Sequence, residues 1–298
     1  MNPEQIAFAK RYRHFLMLIE VLVCLLPRWF YPVLARTLGR WLNPYQLRAD
    51  EIQKGMRIAL TPSLVKSAWM DWLDSHTRFT LDFLNYKALD ADWLQCAIEV
   101  EDPVLLAALQ QSGGLLLTYH THHQNTLCCA LGLAGCQVSA IAAAPEESPT
   151  FPYIGRWAQR VNADSERHFR SGKYIFTNNK RVLARSIRTC LNNKSILVCL
   201  CDFHQPSVTG PVGHIFDRQL SPPTGTVELA LKHQSPIFAA VFAPHNGRLR
   251  LQLKRLPAED GLTPVMAGYL AFLEVCARDN PCCWQGWEWL AELPLRDN

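Results

Sequence analysis

The chain has 298 residues, 49% of them apolar, with 30 basic and 26 acidic residues and a formal net charge of +4. That composition fills a sizeable core and excludes a disordered chain, and the charge is too small to argue for nucleic acid. Eleven cysteines lack the spacing of a small disulfide scaffold, and Cys24, Cys128, Cys129, Cys199 and Cys201 sit inside apolar runs; the cysteines read as reduced, mostly buried thiols in a cytosolic compartment.

Residues 1–98 are expected to be wholly helical and part of the same domain as the rest, because apolar positions recur three and four apart over 51–60 and 64–86. Residues 15–26 form an apolar stretch that contains Glu20 and is closed by Pro27-Arg28. It is shorter than the roughly 20 residues a spanning helix needs. Lys10, Arg11, Arg13 and Arg28 flank it, and Trp29, Phe30 and Tyr31 follow. It therefore reads as a helix lying in the cytoplasmic membrane interface, with an ordinary core helix as the alternative. No small-residue cleavage site follows it, which argues against a cleaved signal peptide.

From residue 99 onward the pattern changes. Strands are expected at 114–119, 137–142, 195–201, 236–242 and 248–253, and helices at 104–111, 126–133, 151–161, 179–191, 224–232 and 265–278. Such alternation predicts an α/β domain over 99–298, with a central mixed, mostly parallel sheet flanked by helices. The last two strands read as a hairpin closed by His245-Asn246-Gly247.

Chemistry concentrates at two strand ends. Residues 113–119 run into a polar turn with His120, His122 and His123, and a helix-like run opens after Asn125. The carboxyl ends of buried strands are where α/β folds place reacting groups. A neutral imidazole at His120 can take a proton from an attacking hydroxyl or amine near neutral pH. Asn125 is expected to hold that ring as an uncharged acceptor, and Tyr119, His122 and His123 to border the substrate. The second strand, 195–201, empties into Asp202, which would stand at the same edge if the strands are parallel and supply negative charge. Arg167 and Arg170 precede Gly172 and suit a phosphate or a carbonyl oxygen; a solvated basic loop is the competing reading. Thr224 is a plausible N-cap whose helix terminus could face an anion. Zinc is a further reading, since His120, His122, His123, Cys199, Cys201 and His204 are suitable ligand types, but their spacing matches no standard site.

These segments, in this order over about residues 100–290, resemble the bacterial lipid A late acyltransferases, the lauroyl and myristoyl transferases of the lysophospholipid acyltransferase superfamily. The resemblance rests on the Gly-Gly-Leu-Leu-Leu-Thr-Tyr-His run ending at His120, the arginine-containing segment ending at Gly172, and Asp202 with Gln205. It continues through Ile215-Phe216-Asp217, Pro223-Thr224-Gly225 and the segment from Pro281 to Trp287. It implies an acyltransferase without a cofactor at the cytoplasmic face of the bacterial inner membrane, with His120 as base and no metal. Such an enzyme takes an acyl group from an acyl carrier protein and modifies a lipid of lipopolysaccharide biosynthesis, with Gln205 near the substrate. Asn125 stands where the family has an acid, Phe203-His204 separate Asp202 from Gln205, and Asp217 replaces a glycine. These polar departures suggest a changed donor or acceptor, similar to the branch that transfers a glycyl group to lipid A. The leading expectation is transfer of an acyl or aminoacyl group from a carrier-protein thioester to a lipid hydroxyl or amine. The alternatives are an N-acyltransferase acting on a small molecule or assembly-line product, and a non-catalytic homologue that binds lipid or carrier.

Overall fold

The computed structural model describes residues 3–27, 30–42, 48–148, 151–204 and 213–296. Helices α1 (Pro3–Leu25), α2 (Tyr31–Leu42), α3 (Ala49–Ala59), α4 (Pro62–Phe83) and α5 (Ala91–Ala97) precede the first strand. Pro62 occupies the first turn of α4, where a missing N–H costs nothing. Asp90 caps α5 by accepting from the Trp93 backbone N–H at 2.8 Å.

Helix α1 has two apolar faces. Phe15, Leu16 and Ile19 are buried against Tyr31, Ala35, Leu81, Leu84 and Trp157, which is the face of an ordinary core helix. Met17, Leu18, Val21 and Leu25 lie on the other side, between 43% and 73% exposed. Glu20, the charge inside the apolar run, accepts from the Trp157 indole at 3.3 Å and pairs with Arg160. Among the described residues no helix is long and apolar enough to cross a membrane. Arg28 and Trp29 lie outside the described residues.

The chain then alternates: β1 (Ile98–Val100), α6 (Pro103–Ser112), β2 (Gly114–Thr118), α7 (Gln124–Leu133), β3 (Val138–Ala142), α8 (Phe151–Glu166), β4 (Tyr174–Phe176), α9 (Lys180–Asn192) and β5 (Ile196–Leu200). A small hairpin, β6 (Gly213–Ile215) and β7 (Arg218–Leu220), leads to α10 (Gly225–Lys232), β8 (Ile237–His245), β9 (Arg248–Arg255), α11 (Leu262–Asp279) and α12 (Trp287–Leu290). Seven strands form one sheet in the order β1-β9-β8-β2-β5-β3-β4. The pairing is parallel throughout except between β8 and β9, so the sheet is mixed and mostly parallel. Asn246 and Gly247 both have positive φ (48° and 77°), as a two-residue hairpin turn between right-twisted strands requires.

Both faces of the sheet are covered. Leu115 and Leu117 of β2 point into a core shared with α3, α4, α9, α10 and α11, and Leu116 points into a second core with α6, α7 and α8. This double burial explains why β2 reads as a continuous apolar run. The edge strands β1 and β4 were not expected from the sequence. Three residues are too few to show alternation, and each pairs on one side only.

Gly55 lets α3 touch the chain at α12. A Cβ there would lie 2.1 Å from the Trp287 carbonyl oxygen, a backbone atom that cannot swing aside. Gly55→Ala should lower the unfolding free energy by about 1–3 kcal/mol, the usual range for overpacking, and a urea titration would read it.

Candidate active site

Strands β2 and β5 are neighbours, but their connections part. After β2 the chain enters α7 on one face of the sheet, and after β5 it reaches α10 on the other. Diverging connections open a crevice at the carboxyl ends of the two strands, the usual ligand position in open α/β sheets. His120 stands two residues beyond β2 and Asp202 two beyond β5. Parallel pairing in register, with Thr118 opposite Leu200, brings them side by side.

The two side chains are in direct contact. His120 Nδ1 lies 2.6 Å from Asp202 Oδ1, and the His120 backbone N–H donates to Oδ2 at 3.0 Å. Asp202 is fully buried, while 32% of the His120 side chain remains accessible. A buried acceptor on Nδ1 fixes the proton on that nitrogen and leaves Nε2 with its lone pair, the form a general base requires. Burial pulls the His120 pKa down, but the Asp202 charge and hydrogen bond pull it up more strongly, so the net shift is upward. The rings of Trp289 and Phe203 stand edge-on to the imidazole at 5.6 and 6.0 Å.

Sequence reasoning missed the indoles that complete this arrangement. Trp284 Nε1 donates to Asp202 Oδ2 at 2.9 Å, and Trp289 Nε1 donates to the Asp202 carbonyl at 3.3 Å. The carboxylate therefore accepts from the His120 ring, the His120 backbone and Trp284, which is how a buried charge is tolerated. Residues 284 and 285 are tied to the turn by an antiparallel bridge from Thr121 to Trp284 and by the Gln285 N–H donating to the His120 carbonyl at 2.8 Å. Trp72 Nε1 donates to the Trp284 carbonyl at 3.0 Å, linking α4 to the same segment. The signal was present in the sequence: three of nine tryptophans fall within residues 284–289.

Asn125 does not hold the His120 ring. It is half-buried in the first turn of α7 and makes no hydrogen bond to the imidazole among the described residues. The charged partner of the ring is Asp202, which follows β5 and makes the contact that the sequence reading divided between two residues.

The other expected substrate neighbours have different surroundings. Tyr119 is buried in the core beneath the turn. His122 is fully buried, with Nδ1 3.1 Å from both Ser75 Oγ and the Cys282 carbonyl, and its ring packs edge-on against Trp72 and His76. His123 is buried beside it and precedes α7. These two histidines join α4 to the turn that carries His120 and do not line an open surface. Arg167 and Arg170 precede β4 and so stand at the opposite edge of the sheet from His120; Arg167 pairs with Asp164 at 3.6 Å. Thr224 is at the N-cap of α10, but its hydroxyl donates to Glu228 at 2.7 Å and caps nothing. Gln205 lies outside the described residues. Among the described residues no three His, Cys, Asp or Glu side chains are placed to hold a metal ion.

The buried histidines carry a cost in acid. Burial lowers His76 to about 4 and His123 to about 4, and it lowers His122 well below its usual value with help from His76 and His123. Their folded pKa values lie below the unfolded one, so their full contribution is present above about pH 6.5 and is lost as the pH falls toward 4. A gap of about 2.5 pH units corresponds to about 3 kcal/mol for each of His76 and His123. Urea midpoints should drop steadily from pH 7 to 4.5; a flat profile would contradict the buried, neutral state.

Neither a protein-family model nor a curated protein matches the chain. The chemical capacity of the site therefore stands on its geometry: a partly exposed base, a buried anion that orients it, and an aromatic enclosure.

Proposed function

We propose that the protein is a transferase that moves an acyl or aminoacyl group from a carrier-protein thioester to a hydroxyl or amine of a lipid acceptor resembling lipid A. The observation that carries this reading is the 2.6 Å contact between His120 Nδ1 and Asp202 Oδ1 at the switch between β2 and β5. In the proposed reaction His120 Nε2 takes the proton of the acceptor as its oxygen or nitrogen attacks the thioester carbonyl. The tetrahedral oxyanion collapses, the carbon–sulfur bond breaks, and the imidazolium returns its proton to the leaving thiolate. Asp202 stabilises the imidazolium in between without taking its proton.

The oxyanion needs N–H donors close to the base. Helix α7 begins at Gln124, four residues beyond His120, and its preceding residue His123 offers no side-chain cap, so first-turn amides remain for that purpose. Asn125 in the same turn offers a further amide. A lipid acceptor suits the outer face of α1, where Met17, Leu18, Val21 and Leu25 are exposed with Arg11 and Arg13 one to two turns before Met17. That face fits the cytoplasmic leaflet of the inner membrane as a peripheral or monotopic contact.

Intact-mass analysis tests the reading. A loaded acyl or aminoacyl carrier protein is mixed with a lipid extract and the wild-type protein, then with His120→Ala. The carrier should lose its acyl mass, and the lipid fraction should gain it, with wild type alone. Equal loss with both proteins would remove His120 from the mechanism, and no loss with any loaded carrier would favour a non-catalytic homologue.

A further inference from the structure

Charge is distributed unevenly along the chain. Between Glu166 and Asp202 there is no acidic residue, while eight lysines and arginines occur, leaving 22 basic and 26 acidic residues elsewhere. A molecule with net charge +4 thus consists of one segment at +8 and a remainder at −4.

Helix α9 collects the centre of that segment on one side. Ile187 and Leu191 are buried in the core, and Arg181, Arg185 and Arg188 are exposed. At 3.6 residues per turn the three arginines fall within roughly 60° of one another, about 100° around the helix from the buried pair. No ion pair engages any of them among the described residues. Folding does not account for the pattern. Lys180 and Arg181 stand in the first turn, where the helix dipole disfavours a cation, and Arg181 and Arg185 are like charges one turn apart. Each such placement costs a few tenths of a kcal/mol to about 1 kcal/mol.

Position completes the case. Helix α9 follows β4 and feeds β5, so its first turn stands at the carboxyl edge of the sheet, where His120 and Asp202 are. Only β3 separates β4 from β5, a lateral distance of roughly 10 Å at the usual strand spacing.

We propose that the Arg181–Arg185–Arg188 face of α9 docks the acidic carrier protein that delivers the thioester. The proposal rests on the transfer reading above and names where its donor binds. The partner is a small protein that presents a carboxylate-rich helix, so that carboxylates meet the three guanidiniums in charge-assisted pairs. The negative remainder of the molecule repels such a partner, and the basic face steers it to the edge where its thioester arm reaches His120. A lipid surface fits this face less well. Val182 is its one large apolar side chain exposed among the described residues of α9. The helix with an exposed apolar face, α1, packs its buried face on Trp157 of α8, and α8 lies on the opposite side of the sheet from α9.

The test compares the full-length wild type with R181E/R185E/R188E and with the control K54E/K66E, which alters exposed lysines on α3 and α4. Binding of purified holo acyl carrier protein is read by fluorescence anisotropy at low and high salt. Transfer is read with the carrier-bound thioester and with a small acyl-pantetheine thioester. The wild type should bind the carrier, and more weakly in salt. The triple variant should weaken binding, and raise KM for the carrier-bound donor, by about tenfold or more, as loss of complementary charge does at steered interfaces. Transfer from the small thioester should be unchanged, and the control should behave as wild type. Carrier binding by the triple variant equal to wild type would overturn the proposal, as would absence of binding by wild type. Equal loss with both donors would mean that the arginines serve the fold or the reaction centre, and loss of binding to anionic vesicles alone would assign the face to lipid. Wild type that binds the carrier through α9 but transfers nothing would sink the transfer reading and leave the docking surface standing.

Discussion

His120→Ala is expected to lower the rate of the proposed acyl transfer by about 10²–10⁴-fold, the contribution a positioned general base makes. The fold should survive, since a third of the side chain is solvent-exposed and little packing is lost. Asp202 keeps its hydrogen bonds from the residue 120 backbone and from Trp284, so the buried carboxylate is not stranded. The expected kinetic signature is a fall in kcat with little change in the affinity for a loaded carrier. Single-turnover measurements with wild type and variant would check it. A variant retaining more than about a tenth of the activity would show that the acceptor is deprotonated elsewhere.

Asp202→Asn tests the orienting group and should be nearly as damaging. Asparagine keeps the volume and can still accept from the His120 backbone, but it removes the charge, and its amide can donate to Nδ1 and stabilise the wrong tautomer. In the serine-protease triad the corresponding change lowers turnover by about 10⁴, and a loss of about 10²–10⁴ is expected here. The pH dependence should move with it. Asp202 holds the His120 pKa above its usual value against burial, so the ascending limb of the wild-type rate profile should lie above pH 6.5. Without the charge, burial acts alone and the limb should shift to lower pH. Stability gives the matching sign. The raised His120 pKa contributes stability that is fully present below about pH 6.5 and is lost as the pH rises through the folded value; the asparagine variant should lack that component. A rate profile unmoved by the substitution would separate Asp202 from the base.

Much of this was legible in the sequence because it depends on local pattern. The switch near residue 98 from helical spacing to strand–helix alternation marks the start of the sheet, and β2, β3, β5, β8 and β9 each overlap an expected strand. Placing His120 and Asp202 at one edge needed only the premise of parallel strands. What stayed hidden depends on long-range contact. Nothing local says that the carboxylate from β5 reaches the ring and makes Asn125 unnecessary, because the two residues meet across 82 positions. Trp284 and Trp289 were visible as a cluster, but their indole N–H groups could be aimed at Asp202 only by the chain folding back over the turn. His122 and His123 looked like site residues because they adjoin His120. Turn geometry instead directs them into α4, where burial keeps them neutral. Arg167 and Arg170 suffered the opposite error, a suitable chemistry at the wrong end of a strand.

The claim that His120 is a charge-supported base is tested most directly by following its ring nitrogens through a pH titration by NMR, in wild type and in Asp202→Asn. The wild-type ring should titrate above 6.5 and, above that pKa, carry its proton on Nδ1 with Nε2 unprotonated; the variant should titrate lower. A wild-type ring that titrates at or below 6.5, or that carries its proton on Nε2, would contradict the account.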